Sequence, residues 1–304
     1  MAGPTSHGRP PFDYSAIISR APLKLPGGKR MAVIVGVNVE HYAWGRPALS
    51  LAPFTAELVP DPLNYSWREY GARVGIFRLM ELFDRYGISV SAPVNSDVCD
   101  LYPAIVEAGC RRGWCWVAHG VNNSEWTVGL DRDAERAILA TVTESIEAAT
   151  GRRPRGWLGP ALTESPHTSE LLAELGYTYT LNWGIDDEPL RLGAGGGGLV
   201  AVPYASELND IPILAMHGQS GPDFAQALID QFDWLLMEGA ERPRVMSFGV
   251  HPFLTGQAFR ARHFAMALEH MVAHRDDVWF ATSDEIADWY LRHAELLGKR
   301  PATV

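Results

Sequence analysis

The sequence has few cysteines, no long apolar run and no concentration of basic side chains. Its 3 cysteines, Cys99, Cys110 and Cys115, lack C-x-x-C spacing and lie in or beside apolar segments. They argue against a disulfide framework, and we expect reduced, largely buried thiols. No run approaches the length of a membrane span, and the first thirty residues contain no apolar signal-peptide core. We therefore expect a cytoplasmic protein with no membrane contact.

Acidic side chains outnumber basic ones. With 26 Lys and Arg against 36 Asp and Glu, the formal net charge at pH 7 is −10. The basic residues are scattered and form no stripe, so we expect no nucleic acid partner and no anionic membrane partner. A small-molecule substrate is the expected ligand. The 304 residues suffice for one large α/β domain.

Apolar, strand-like runs alternate with helix-like segments along most of the chain. Strands are predicted at 31–39, 88–94, 114–118, 155–159, 177–183, 199–203, 211–215, 245–250 and 278–281. Helices are predicted at 71–86, 100–113, 131–150, 165–176, 222–238, 259–275 and 283–294, and 41–66 is a long loop. This alternation predicts a mainly parallel barrel or sheet. We expect one domain over 31–295, an N-terminal arm (1–30) and a C-terminal tail (296–304).

Ionisable side chains stand at the ends of three predicted strands. His251 follows the strand 245–250 and precedes Pro252, His119 closes the strand 114–118, and Glu40 ends the first strand. The carboxyl ends of parallel strands meet at one edge, so we expect these three side chains to share a hydrolase site. A backbone-bonded core role for His119 and a salt bridge for Glu40 are the structural alternatives. His41 points to the opposite face if the strand continues.

Several segments carry a family resemblance. The stretch 245–290, the segment Thr150-Gly151-Arg152-Arg153-Pro154-Arg155-Gly156 and the segment 171–177 resemble polysaccharide deacetylase (NodB-homology) domains. Within that family, the segments 69–78 and Glu207-Leu208-Asn209-Asp210 are similar to the branch that includes metal-independent allantoinases. The resemblance covers about residues 20–292. It implies a distorted (β/α) barrel with fewer than eight regular units, hydrolysis of a non-peptide carbon–nitrogen bond, and a homo-oligomer.

The chain departs from the metal-dependent members of that family at their site positions. Asn38 and Glu40 stand where those enzymes have an aspartate base and an aspartate metal ligand, and Asn123 stands where they have a second metal-binding histidine. Leu158 replaces the usual arginine. An amide is a poor substitute for imidazole on Zn²⁺. We therefore expect no cofactor, with a divalent metal such as zinc on Glu40 and His119 as the alternative.

Hydrolysis of a cyclic ureide or imide needs a group to orient or deprotonate water, a carbonyl polariser and an acid for the leaving nitrogen. We assign these roles to Glu40, His119 and His251 respectively. The candidate substrate-binding residues are Asn38, Asn123, Arg73, Trp183 and Pro252. For Asn123, Arg73 and Trp183 the structural alternatives are a turn cap, a salt bridge and a core edge. The alternative functions are a metal-dependent polysaccharide or N-acetyl deacetylase and a catalytically silent, ligand-binding barrel.

Overall fold

The computed structural model describes residues 10–193 and 195–298. Residues 1–9 of the predicted arm and 299–304 of the predicted tail lie outside them. The strands of the described part are β1 (Met31–Val37), β2 (Ser91–Val94), β3 (Cys115–Ala118), β4 (Gly156–Trp157), β5 (Tyr179–Thr180), β6 (Leu190–Arg191), β7 (Val200–Ala201), β8 (Arg244–Val250) and β9 (Val278–Phe280). The α-helices are α1 (Pro62–Tyr70), α2 (Ile76–Tyr86), α3 (Ser96–Leu101), α4 (Pro103–Arg111), α5 (Arg132–Thr150), α6 (Thr168–Glu174), α7 (Gly221–Glu238), α8 (Ala258–Val272) and α9 (Ser283–Gly298).

The strands form one curled sheet in the order β6-β7-β5-β4-β3-β2-β1-β8, and β9 pairs with β1. Strand β6 runs antiparallel to β7, and the other pairs are parallel. A bridge between Asn209 and Gly249 links the segment after β7 to β8, at the opposite end of that order. The sheet therefore curls toward closure, and the predicted distorted α/β barrel is confirmed.

Strand β1 shows how the alternation of side chains builds two cores. Its seven residues are all buried. Met31, Val33, Val35 and Val37 belong to the large core shared with the helices, whereas Ala32 and Ile34 belong to a second core inside the barrel. Because successive side chains point to opposite faces of a strand, the next even positions, 38 and 40, also face the interior. The core pattern thus directs Asn38 and Glu40 toward the barrel axis.

The predicted strand at 211–215 is wrong. Ile211–Met216 is instead a π-helical turn that follows Asp210. A short apolar run cannot be assigned to strand or helix by periodicity alone, and Pro212 lacks the N–H that a central strand would need. The correction matters because this turn lies between β7 and β8, beside the carboxyl end of the sheet.

The predicted loop 41–66 also needs correction, because α1 begins within it. The Asp61 side chain caps this helix by accepting from the Asn64 amide at 3.3 Å. A π-helical turn at Gly71–Gly75 joins α1 to α2, so the predicted helix start at Gly71 lies inside a longer helical segment. A Cβ at Gly75 would collide with the carbonyl oxygen of Pro252. Glycine at this turn therefore lets the helical segment pack against the loop that follows β8.

Other predicted elements are present with shifted ends. Helix α5 begins after Asp131, whose side chain accepts from the Ala134 amide at 2.9 Å, and ends at the left-handed Gly151, as predicted. The predicted helix at 100–113 is two helices, α3 and α4, because Pro103 starts a new one. The segment 185–191, for which no strand is predicted, ends in β6. Among the described residues, no helix combines the length and hydropathy needed to cross a membrane.

Candidate active site

The ends of β1, β3 and β8 bring the predicted catalytic residues together at the carboxyl edge of the sheet. The Asn38 amide donates to the Val250 carbonyl at 2.9 Å, and the His119 amide donates to the Val94 carbonyl at 3.0 Å. These bonds continue the strand pairing to the positions of the polar side chains. The side chains of Glu40, His119 and His251 are only 3–4% exposed. The site therefore lies on rigid strand ends and is shielded from bulk water.

Glu40 is the centre of the cluster. Its Oε1 lies 3.2 Å from His119 Nε2 and 3.3 Å from His251 Nε2, and its Oε2 accepts a 2.6 Å hydrogen bond from the Tyr42 hydroxyl. Burial alone would raise the pKa of Glu40, but the charge on His251 and the hydrogen bonds from the two imidazoles outweigh burial and lower it. Glu40 is therefore a carboxylate at neutral pH.

His251 is held between two carboxylates. Its Nδ1 lies 2.6 Å from Asp210 Oδ1, and its backbone amide donates to Asp210 Oδ2 at 2.7 Å. The Thr255 hydroxyl also donates to Asp210 Oδ2, at 2.5 Å. Burial disfavours the imidazolium, yet the charges of Glu40 and Asp210 raise the pKa of His251 to about 10. His251 is therefore a cation at neutral pH, with Asp210 on Nδ1 and the Nε2 proton directed toward Glu40.

His119 is oriented by the backbone of the neighbouring strand. Its Nδ1 lies 2.6 Å from the Leu158 carbonyl oxygen. A carbonyl oxygen only accepts, so Nδ1 carries a proton; Nε2 faces Glu40 Oε1, which also only accepts, and donates to it when the ring carries a proton on Nε2 as well. Leu158, at the position of the family's arginine, thus contributes its carbonyl rather than a charged side chain. The structural alternative for His119, a core histidine bonded to the backbone, accounts for Nδ1 only, because Nε2 faces Glu40.

The cluster forms the floor of a cavity of about 900 Å³. Of the predicted residues, Glu40, His119, His251, Asn38 and Asn123 line it. Its other lining residues are Tyr42, Pro47, Ala48, Leu49, Ser124, Trp126, Leu158, Ala161, Leu162, Tyr204, Ser206, Asn209, Ile211, Pro212 and Met216. A cavity of this volume suits a small-molecule ligand.

Three predicted substrate contacts lie outside this cavity. Arg73 is 74% exposed and pairs with Glu69 at 2.8 Å on the helical segment. Trp183 packs edge-on against Phe12, with ring centroids 5.5 Å apart. The Pro252 backbone packs against the π-helical turn of the helical segment. For Arg73 and Trp183 the structural alternatives, a salt bridge and a core edge, therefore describe the positions observed.

Sequence reasoning missed several residues of the site. Asp210 belongs to the segment 207–210 that is similar to the allantoinase branch. Because a strand is predicted directly after it, at 211–215, the sequence does not indicate that its side chain contacts His251. Tyr204 accepts from the Asn38 side-chain amide at 2.9 Å, so Asn38 is oriented by a residue from a distant segment. Ala161 and Leu162 have left-handed backbones, with φ of 53° and 55°. Such strain in non-glycine residues beside a cavity is typical of functional sites, and no sequence signal predicts it.

The donor set does not fit a zinc site. The Asn38 amide nitrogen donates to Tyr204, and the Asn123 side-chain oxygen accepts from Asn95 at 3.0 Å, so neither replaces the missing ligand. Catalytic zinc sites use three protein ligands, and here the family positions offer only Glu40 and His119. Within residues 10–193 and 195–298, no group of three or more His, Cys, Asp or Glu residues has the geometry to hold a metal ion.

Known proteins resemble the chain over most of its length. A putative polysaccharide deacetylase of Schizosaccharomyces pombe is 28% identical over a 265-residue alignment that covers 80% of this chain and 81% of that protein. A peptidoglycan deacetylase of Helicobacter pylori is 26% identical over 87% of this chain and 97% of that protein. No family model matches the chain.

A solved structure bears on the predicted similarity to the allantoinase branch. The structure of Puue allantoinase superimposes with a TM-score of 0.80 and 25% identity, covering 93% of this chain and 98% of that chain. The chain is thus similar to polysaccharide deacetylases and to an allantoinase over most of its length. The resemblance predicted from the sequence, including the allantoinase branch, is confirmed. Deacetylases and allantoinase hydrolyse carbon–nitrogen bonds, so the predicted enzyme class, a carbon–nitrogen hydrolase, is also confirmed.

Proposed function

We propose that the protein hydrolyses a carbon–nitrogen bond of a small cyclic ureide or imide and that side chains perform this chemistry without a resident metal. The observation that carries the proposal is the contact of one carboxylate oxygen, Glu40 Oε1, with both imidazoles at 3.2 Å and 3.3 Å. This arrangement places a hydrogen-bond acceptor for water beside a protonated acid. The similarity to Puue allantoinase along most of both chains supports the proposal.

The proposed proton transfers use Glu40 and His251. Glu40 accepts a hydrogen bond from the attacking water and takes its proton as oxygen adds to the carbonyl carbon. His251 gives its Nε2 proton to the leaving ring nitrogen as the C–N bond breaks. Because Glu40 Oε1 lies 3.3 Å from His251 Nε2, the proton taken from water returns to the imidazole. The cycle ends with one water consumed, one C–N bond cleaved and both residues restored.

The carbonyl oxygen of the substrate needs a donor as negative charge develops on it. Ala161 lines the cavity with a left-handed φ of 53°, and its main-chain amide is the donor considered for this role. We assign this amide, together with His119, to polarise the carbonyl. The strained backbone fits that role because it turns a main-chain donor away from regular pairing.

The test is hydrolysis of a substrate panel by the purified protein with and without a strong chelator. The panel contains allantoin, hydantoin, dihydrouracil, succinimide and N-acetylglucosamine oligomers, and acid release or product chromatography reports turnover. We expect at least one ring to be opened at the same rate in the presence of chelator. The variant His251→Gln should lose this activity, whereas His270→Gln, on the outer helix α8, should retain it.

A metal-dependent deacetylase is the second candidate, because two similar proteins are named as deacetylases. It predicts activity on the acetylated sugars that the chelator abolishes and zinc restores, together with stoichiometric bound metal. That result would overturn the ring-hydrolase proposal. Calorimetric binding of a ring compound without turnover would instead favour the silent barrel.

A further inference from the structure

The walls of the cavity differ in chemistry from its floor. Glu40, His119 and His251 lie at the floor, whereas the mouth is formed by apolar side chains that three separate loops contribute. We define the apolar rim as Leu49, Trp126, Ile211 and Met216. Leu49 follows β1, Trp126 follows β3, and Ile211 and Met216 lie on the π-helical turn. The rim is therefore a composite of the loops that surround the strand ends.

The rim leaves much apolar surface in water. Trp126 is 55% exposed and Met216 is 67% exposed, although both line the cavity. Apolar surface beside a cavity favours a ligand that covers it, since about 25 cal/mol is gained for each Å² removed from water. A bare polar ring such as hydantoin would reach the floor but would leave most of this surface exposed.

The cavity also lacks a free cation. Among its lining residues in the described part of the chain there is no lysine or arginine. The imidazolium of His251, which lines the cavity, already lies between the carboxylates of Asp210 and Glu40. An anionic substituent on the substrate would lose hydration without gaining a partner and would approach a carboxylate. The site therefore disfavours substrates that carry a carboxylate or phosphate.

We propose that the preferred substrate is an uncharged ring amide that carries an apolar or aromatic substituent, and that the apolar rim binds this substituent. This inference rests on the proposed ring hydrolysis and adds the substituent class. The polar floor recognises the ring that reacts, and the rim selects among rings by what is attached to them. A pocket contact of this kind changes kcat/KM by about tenfold or more.

The experiment compares three substrates that share one ring: hydantoin, 5-benzylhydantoin and hydantoin-5-acetic acid. We expect kcat/KM for 5-benzylhydantoin to exceed that for hydantoin by about tenfold or more and the carboxylate to be the poorest of the three. Equal values for hydantoin and its benzyl derivative, or a preference for the carboxylate, would overturn the inference while leaving ring hydrolysis established. If none of the rings is opened, the proposed function itself has failed.

Variants locate the selectivity at the rim. In Trp126→Ala the ratio of kcat/KM for 5-benzylhydantoin to that for hydantoin should fall several-fold, whereas Trp234→Ala should leave the ratio unchanged. Trp234 is a matched control because it is 61% exposed on α7 and does not line the cavity. Met216→Lys should raise the relative use of hydantoin-5-acetic acid, because it adds a cation at the mouth. If Trp126→Ala changes the oligomeric state and not the substrate ratio, the rim is an interface between copies of the chain and the inference is wrong.

Discussion

Single residues set the charge state of the site. Glu40 and His251 are buried ionised groups, and each would be costly without the other. Asp210 adds a second carboxylate on the far nitrogen of His251. Within the proposed mechanism, Asp210 is a positioning residue because it acts on the substrate only through the imidazole. The same holds for Tyr42, which acts through Glu40.

The Asp210→Asn variant tests the first of these contacts. Loss of the carboxylate charge should lower the pKa of His251 from its raised value of about 10. The alkaline limb of the kcat/KM profile should then move to lower pH, with activity at pH 9 reduced about a hundredfold. A pH series of initial rates with a turned-over ring substrate checks this. Asp230→Asn, on the surface of α7, is the control, and an unmoved alkaline limb in Asp210→Asn would contradict the assignment.

The Tyr42→Phe variant removes the hydroxyl that donates to Glu40 Oε2 at 2.6 Å and keeps the ring. With one donor lost, the pKa of Glu40 should rise and the acidic limb of the rate profile should move to higher pH. Since a hydrogen bond to a charged group contributes about 1.5–3 kcal/mol, kcat should fall about tenfold or more. Rates measured from the lowest pH at which the protein stays folded up to pH 8 report both effects. Tyr86→Phe on α2 should change neither limb, and a Tyr42→Phe variant that only raised KM would argue for a direct substrate contact instead.

The secondary-structure elements around the site hold its residues in fixed positions. The three strand ends carry Glu40, His119 and His251, and the π-helical turns at Gly71–Gly75 and Ile211–Met216 lie on either side of His251. The first turn packs against the backbone of Pro252 and Phe253, and the second follows Asp210. Irregular helical turns of this type occur often at functional sites. Here the first turn packs against the loop after β8, and the second turn follows Asp210, the partner of His251.

Gly75→Ala tests the packing of the first turn. Its Cβ would meet the Pro252 carbonyl, which is backbone and cannot move aside as a flexible side chain would. We expect the free energy of unfolding to fall by about 3 kcal/mol, with a lower Tm in thermal melts. Gly193→Ala is the control, because the nearest atom to its Cβ is the Pro11 carbonyl oxygen at 3.7 Å. Equal melting temperatures for the two variants would show that the turn tolerates a side chain.

At the scale of the whole molecule, the ionised side chains of Glu40 and His251 make the free energy of unfolding depend on pH. The folded-state pKa of His251 is raised from 6.5 to about 10, so its stabilising contribution is fully present below about pH 6.5 and is lost as pH rises through 10. The Glu40 pKa is lowered from 4.5, so its contribution is present above that pH and is lost as pH falls. The protein should be most stable between these limits.

Urea unfolding of the wild type and His251→Gln between pH 6 and pH 10 checks this coupling. The free energy of unfolding of the wild type should decrease with pH relative to the variant, by about 1 kcal/mol or more over that range. The linkage argument gives the sign, since the folded wild type binds the His251 proton more tightly than the unfolded chain does. Parallel curves for the two proteins would mean that the imidazole is neutral in the folded state.

The division into arm, barrel and tail, the homo-oligomer and the cytoplasmic location stay predictions. Light scattering of the purified protein measures its oligomeric state directly.

The sequence alone determined the barrel and placed Glu40, His119 and His251 at strand ends, where they form the floor of the cavity. Strand alternation has a period of two, so the apolar positions of β1 already specify the interior face on which Asn38 and Glu40 lie. Only the tertiary structure decided which distant segments meet that floor. The contact of Asp210 with His251, the exclusion of Arg73 and Trp183 from the cavity, and the apolar rim all depend on packing between segments far apart in sequence. Local periodicity carries no information about such contacts, because it fixes the face of an element and not the neighbour that this face meets.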